Sequence, residues 1–163
     1  MWSRSVGFAV SGTLLRRDNH HTRKTDDCIF CSIVDGDIPS YTVYEDDDVM
    51  AFLDANPLAR GHTLVIPKEH HERVNDLPAN LSTATFDAVH DLTDRVEAAV
   101  DAEATTIAVN NGPAAGQEVP HVHVHIVPRS EDDGGRPIHA LIEERPDVDD
   151  DELDDVAAAI RGD

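Results

Sequence analysis

Three of the chain's ten histidines stand at alternate positions in Pro120–Arg129, PHVHVHIVPR. On a β-strand alternate residues share a face, so His121, His123 and His125 would point one way and Val122, Val124 and Ile126 into a core. Same-face neighbours lie roughly 6.5–7 Å apart, which lets the outer imidazoles flank a group held at the middle one. Imidazole is neutral near pH 7 and can serve as nucleophile, proton donor or metal ligand. Three readings are therefore open: a catalytic cluster, a zinc site from histidines two apart, or a half-exposed strand rich in histidine. Just upstream, NNGPAAGQEV (Asn110–Val119) supplies Gly112 and Gly116, and Gln117 adds a side-chain donor. Glycines permit backbone conformations that aim amides at a bound group. Nitrogen donors facing imidazoles suit a phosphoryl group, whose charge they stabilise during displacement.

A second cluster is CIFC, with Cys28 and Cys31 the only cysteines of the sequence. Its C-x-x-C spacing is half of a tetrahedral zinc site, and further nitrogens are on offer from His70 and His71 in PKEHHERV and from the histidine strand. The alternative is a reduced thiol pair packed as small apolar residues. A redox pair fits less well without a thioredoxin-like βαβ pattern, and HHERV lacks the H-E-x-x-H spacing of zinc proteases.

The elements that must position these residues follow from periodicity. YTVYEDDDVMAFLD reads as a hairpin around Asp46–Asp48, HTLVIP as a third strand stopped by Pro67, TTIAVNNG as a fourth, and HVHVHIV as a fifth bracketed by Pro120 and Pro128. From Asn80 to Ala102, Leu81, Ala84, Ala88, Leu92, Val96 and Ala99 recur every three or four residues, predicting one long amphipathic helix. The order β-β-β-α-β-β implies an α+β fold: an antiparallel five-stranded sheet with helices on one face. Residues 1–26 read as a disordered extension or a start assigned too far upstream, 27–137 as the folded domain, and 138–163 as an acidic tail or helix.

As a set, these stretches resemble the histidine triad (HIT) family of nucleotide hydrolases and transferases. The resemblance rests on His121, His123, His125, Ile126 and Val127, on AVNNG and AGQEV, on AFLD, on GHTLVIPKEH and on CIFCSIVDGDIPS, and spans Cys28 to Arg129. It implies His123 as nucleophile toward the α-phosphorus of a nucleotide, with a nucleotidyl-histidine intermediate that water cleaves. It implies His125, His62, Gln117 and Gly116 as phosphate contacts and Asp54 as the ribose carboxylate. Asn110 would lie at the phosphate and sugar end, with Phe30, Ile33, Ile38 and Leu53 as an apolar wall for the base. Asp54 could equally cap a turn before ANP, and the four apolar residues could equally be core. The resemblance also implies a structural Zn²⁺ on Cys28, Cys31, His70 and His121, a homodimer, and a purine nucleotide substrate, adenosine first. Glu118 stands where the Hint-like branch commonly has serine or threonine, and Pro120 where an aromatic residue is common. Glu118 would face outward, act on the leaving group, or mark the prokaryotic branch.

Charge narrows the partners. The chain has 33 Asp+Glu against 13 Lys+Arg, a formal net charge of -20. That balance argues against nucleic acid polymers, which need a basic footprint, and points to a salt-adapted proteome, where charge repulsion is screened. No apolar run reaches the roughly 18 residues of a membrane span, so the expectation is a cytoplasmic enzyme without a membrane partner or organic cofactor. Two rivals stand beside it: a metal-dependent hydrolase using the histidines as catalytic ligands, and a nucleotide-binding regulatory protein with vestigial catalysis.

Overall fold

The structure, a computed structural model, describes residues 27–162; the extension expected over residues 1–26 lies outside them. β1 (Thr42–Glu45) and β2 (Val49–Leu53) form the expected hairpin. It is turned by Asp46, whose Oδ1 accepts from the amides of Asp48 (2.9 Å) and Val49 (2.7 Å). Aspartate favours such turns because its short side chain satisfies backbone amides just downstream. β3 (Thr63–Pro67), β4 (Ala104–Ala108) and β5 (Val124–Arg129) complete a five-stranded antiparallel sheet in the order β1-β2-β3-β5-β4. The architecture is α+β, as the element order implied.

α1 (Ile29–Val34) and α2 (Ala79–Val100) cover opposite faces of this sheet. From α2, Ala88, Val89, Leu92 and Val96 pack on Val49, Ala51, Val65, Val124 and Ile126. From α1, Phe30, Cys31 and Ile33 pack on Met50, Phe52, Leu64 and Ile66. This corrects the expectation of helices on one face only. The reason is legible in β2 and β3: Val49 to Phe52 and all of β3 are buried whichever way they point, and strands apolar on both sides must be covered on both.

β5 also departs from expectation. The sheet strand begins at Val124, not His121, because pairing with β3 starts at Val65↔Val124. Before it, the amide of Val122 donates instead to the His71 carbonyl at 2.7 Å. Pro128 lies inside the strand rather than after it, paired with Thr105 of β4 but beyond the last β3 pair, Thr63↔Ile126. At the turn into β3, Gly61 (φ +88°) is closely fitted: a Cβ there would meet the Val100 side chain of α2 at 2.7 Å and force a shift. Downstream, α3 (Asp150–Arg161) is capped by Asp149, which accepts from the Glu152 amide at 2.9 Å, and buries no residue. No helix among the described residues is long and apolar enough to cross a membrane.

Candidate functional site

The parity of β5 places His123 and His125 on the face that α1 covers, opposite the Val124 and Ile126 core. His123 is held by its own backbone neighbour: Nδ1 lies 2.6 Å from the His121 carbonyl oxygen. A carbonyl only accepts, so Nδ1 carries the proton and Nε2 keeps its lone pair. The Phe30 and His123 rings pack in a T-shaped arrangement at a centroid distance of 5.2 Å, which restricts the imidazole plane.

A proton-ordered chain runs beside it. The Leu58 amide donates to His62 Nδ1 at 3.2 Å, so His62 carries its proton on Nε2, which donates to His125 Nδ1 at 2.9 Å. That leaves His125 with its hydrogen on Nε2, a donor. Burial lowers the pKa of both rings, with Asp54 opposing the shift at His62. His125 is held down to about 4, by burial first and then by His123 and His62. Both are therefore neutral at pH 7, and the 3.5 Å approach of Asp54 Oδ2 to His62 Nδ1 brings two acceptor atoms together, neither an ion pair nor a hydrogen bond. The other Asp54 oxygen accepts from the Asn56 amide at 2.8 Å, so Asp54 does cap its turn.

The loop before β5 is a tight cradle. Gly112 (φ +106°) and Gly116 (φ +86°) take conformations that disfavour any side chain, and Asn110 Nδ2 reaches the Gly116 carbonyl at 3.4 Å. Gln117 differs from expectation. Its Oε1 accepts from the Gly112 amide (2.8 Å), and its Nε2 donates to the Glu72 carbonyl (2.7 Å) and reaches the His121 carbonyl (3.5 Å). Both ends are thus committed within the chain, making Gln117 a clamp between the loop and the His123 anchor. Glu118 is exposed.

Of the four apolar wall residues, the structure gathers Phe30, Ile33 and Ile38 in one cluster on the histidine face. Leu53 is not among them, which corrects that expectation. It shares the parity of Val49 and Ala51 and lines a cleft against Leu92 and Val96 of α2. Its neighbour Phe52 points to the histidine face instead, with its ring 5.7 Å from that of Phe30. Choosing between two adjacent apolar residues requires the strand's absolute parity, which alternation alone leaves open.

On the far side of His121 lies the cysteine cluster. The donor atoms of Cys28, Cys31, His70 and His121 all fall within 4.8 Å of one another. Cys28 Sγ is 3.5 Å from His121 Nδ1, and Cys31 Sγ is 3.3 Å from His70 Nδ1 and 3.7 Å from His121 Nδ1. A zinc tetrahedron with ordinary bond lengths has sulfur–nitrogen edges of about 3.6 Å, so the quartet fits the ion. His121 is also in the required tautomer: its Nε2 donates to the Pro67 carbonyl at 2.8 Å, turning the Nδ1 lone pair to the sulfurs. Sequence reading did not find a cavity of about 460 Å³ beyond His125, lined in part by Ala108, Asn110, Arg129 and Arg136. The arginines could have been marked as rare cations downstream of the triad.

The chain is similar to known proteins. The HIT domain family model matches residues 35–132. An uncharacterized HIT-like protein of Methanocaldococcus jannaschii is 49% identical over 66% of this chain and 82% of its own. An adenosine 5′-monophosphoramidase of Saccharomyces cerevisiae is 39% identical over 66% of each chain. An adenylylsulfatase of Arabidopsis thaliana is 40% identical over 66% of this chain, which spans 55% of that protein. Among solved structures, a HIT family member from Bacillus subtilis superposes with a TM-score of 0.77 at 38% identity, over 84% of this chain and 96% of that one. A zinc-bound histidine triad protein from Mycobacterium smegmatis does so with 0.60 at 36%, over 83% and 94%. The chain belongs to the HIT domain family.

Proposed function

We propose that this chain hydrolyses or transfers nucleoside monophosphate groups through a nucleotidyl-histidine formed on His123. One observation carries the reading: His123 Nδ1 donates to the His121 carbonyl oxygen at 2.6 Å, which leaves Nε2 as the free ring nitrogen, held in a fixed orientation. In the first displacement Nε2 attacks the α-phosphorus and the bond to the leaving group breaks with its electron pair. In the second, water adds to phosphorus, the P–N bond breaks, and His123 is regenerated. His125, with its Nε2 hydrogen set by His62, donates to the non-bridging oxygens, which gain charge in both transition states. Gly116 and Asn110 complete the phosphate end, with Gln117 holding the loop. Asp54 takes the ribose hydroxyls, and Phe30, Ile33 and Ile38, with Phe52 in place of Leu53, flank the base. The names of two relatives, an adenosine phosphoramidase and an adenylylsulfatase, support adenosine as the nucleoside.

Zinc on Cys28, Cys31, His70 and His121 would supply a cross-link between α1, the segment after β3 and the approach to β5, apart from the displacement itself. The folded unit of this reading is residues 27–137, with 138–163 an appended acidic segment, which suits the absence of buried residues in α3. The working form is a homodimer in a salt-rich cytoplasm, of the family's prokaryotic branch. Support for the dimer comes from Ile107 on the edge strand β4 and from Leu153, Val156 and Ile160 of α3, all exposed.

The test is trapping. Brief incubation with α-labelled adenosine phosphoramidate in high salt, followed by quenching, should leave label on the protein, and His123→Ala should carry none. A His123→Ala enzyme turning over at the wild-type rate would sink the mechanism. A second reading, catalysis by a metal on Asp54, His62 and His125, draws on donor atoms within 4.8 Å of one another. It predicts that a chelator stops turnover at once, whereas the covalent reading predicts loss only as the fold loosens.

A further inference from the structure

The histidine face of β5 does not end at His125. His125, Val127 and Arg129 follow one another on that face, opposite Ala108, Thr106 and Ala104 of β4. Over them opens the cavity of about 460 Å³, closed on its far side by Asp133 to Arg136. Cavities of this size hold whole small-molecule groups, and this one begins at the ring that faces the reacting phosphorus.

The far wall is constructed rather than loose. Arg129 grips Asp133 with two bonds, Nε to Oδ2 at 2.5 Å and Nη2 to Oδ1 at 3.0 Å, and reaches Thr106 Oγ1 at 2.9 Å with Nη1. Asp133 also accepts from the amides of Ser130 (3.1 Å) and Gly135 (2.7 Å). The guanidinium lies so close over Gly135 that a Cβ there would meet Nη2 at 2.2 Å. Every oxygen of Asp133 is therefore occupied and its charge matched by Arg129. The other cation of the wall, Arg136, is exposed and has no ion pair among the described residues; Arg60, Arg73, Arg95 and Arg145 have none either, but of these five only Arg136 lines this cavity. Its guanidinium therefore shares a cavity with His125 and is not neutralised by a carboxylate there.

We propose that Arg136 and the loop it ends form the leaving-group subsite, and that the substrates are adenylyl compounds whose leaving group is an oxyanion, a phosphate or a sulfate, rather than an amine. This rests on the nucleotidyl-transfer reading of His123. When Nε2 attacks, the P–O bond breaks and its electron pair departs on the leaving oxygen. A phosphate or sulfate needs no proton to leave, only compensation of charge, which a guanidinium supplies. An amine must be protonated as the P–N bond breaks, and arginine cannot give up a proton; the product, a cation, would also be repelled.

The experiment compares kcat/KM at fixed ionic strength for diadenosine triphosphate, adenylyl sulfate and adenosine phosphoramidate, in the wild-type chain and in Arg136→Gln and Arg136→Lys. The expected result is a wild-type preference for the oxyanion substrates. In Arg136→Gln their advantage over the phosphoramidate falls roughly tenfold, a change in selectivity that reads directly as lost transition-state contact; Arg136→Lys restores part of it. Diadenosine triphosphate ahead of adenylyl sulfate assigns the subsite to an organic phosphate, and the reverse order to the inorganic oxyanion; both support the proposal. An oxyanion-to-amine ratio unchanged within about twofold in Arg136→Gln, or a wild-type preference for the phosphoramidate, overturns it. Label trapped on His123 in every variant keeps that outcome separate from failure of the nucleotidyl-transfer reading, in which no substrate labels the wild-type chain.

Discussion

At His123 the group that orients the imidazole is a peptide carbonyl, not a carboxylate. A neutral acceptor fixes the tautomer without adding a negative charge beside an anionic substrate. His125 is ordered the same way at one remove, through His62 and the Leu58 amide. Replacing His62 by phenylalanine keeps the ring and removes the donor, so kcat should fall about a hundredfold, the scale of a misplaced acid–base partner, with KM moving far less; stopped assays at saturating substrate decide it. The same two rings set a pH dependence. The folded pKa of His125, which faces His123, His62 and Asp54, is about 4, below the ordinary histidine value, and that of His62 is lowered as well. Between roughly 6.5 and 4 the unfolded chain thus takes up protons that the folded chain refuses. Stability should therefore drop as pH falls through that window and be fully present above it. A urea midpoint at pH 5 equal to that at pH 7.5 would refute the neutral relay.

At the scale of elements, the site is stretched between two turns and one strand, and Gly61 is where they meet α2. Gly61→Ala should destabilise by about 1–3 kcal/mol, from the positive φ and the Val100 contact together. Adding Val100→Ala should not recover the φ cost, so the double variant stays below wild type in chemical denaturation. Leu92, 2% exposed between α2 and the sheet, should cost about 2–5 kcal/mol as Leu92→Ala. The element order, the hairpin turn at Asp46 and the face of α2 could be read from periodicity, because each depends on local spacing. The start of β5 could not, since it is decided by where β3 stops pairing, at Val65↔Val124. The same holds for Gln117, whose partner Glu72 is 45 residues away, and for Leu53 against Phe52, where one step of parity moves a side chain across the sheet. The quartet of Cys28, Cys31, His70 and His121 joins residues up to 93 apart. Spacing proposed half of it, and only the resemblance to the HIT family supplied the other half. On the zinc reading, Cys31→Ser should leave the purified chain without metal by elemental analysis and lower the thermal midpoint, while label still reaches His123.

For the molecule as a whole, charge and chemistry pull in opposite directions. The full sequence carries a net charge of -20, the substrate proposed above is an anion, and the described ion pairs already engage Lys68 with Glu45 and Arg129 with Asp133. At low salt the field of the whole surface reaches roughly 30 Å at 0.01 M and slows the approach of a like-charged substrate, whereas at 1 M it is screened within about 3 Å. The short bonds that hold the site are not screened in the same way: His123 to the His121 carbonyl and His62 to His125 are direct hydrogen bonds in a half-buried or buried setting. Activity should therefore rise with ionic strength through kcat/KM while kcat at saturation changes little, and a neutral phosphate-ester analogue should show no such rise. An enzyme fastest in dilute buffer would show that surface repulsion does not govern access, and with it the salt-adapted reading would fall.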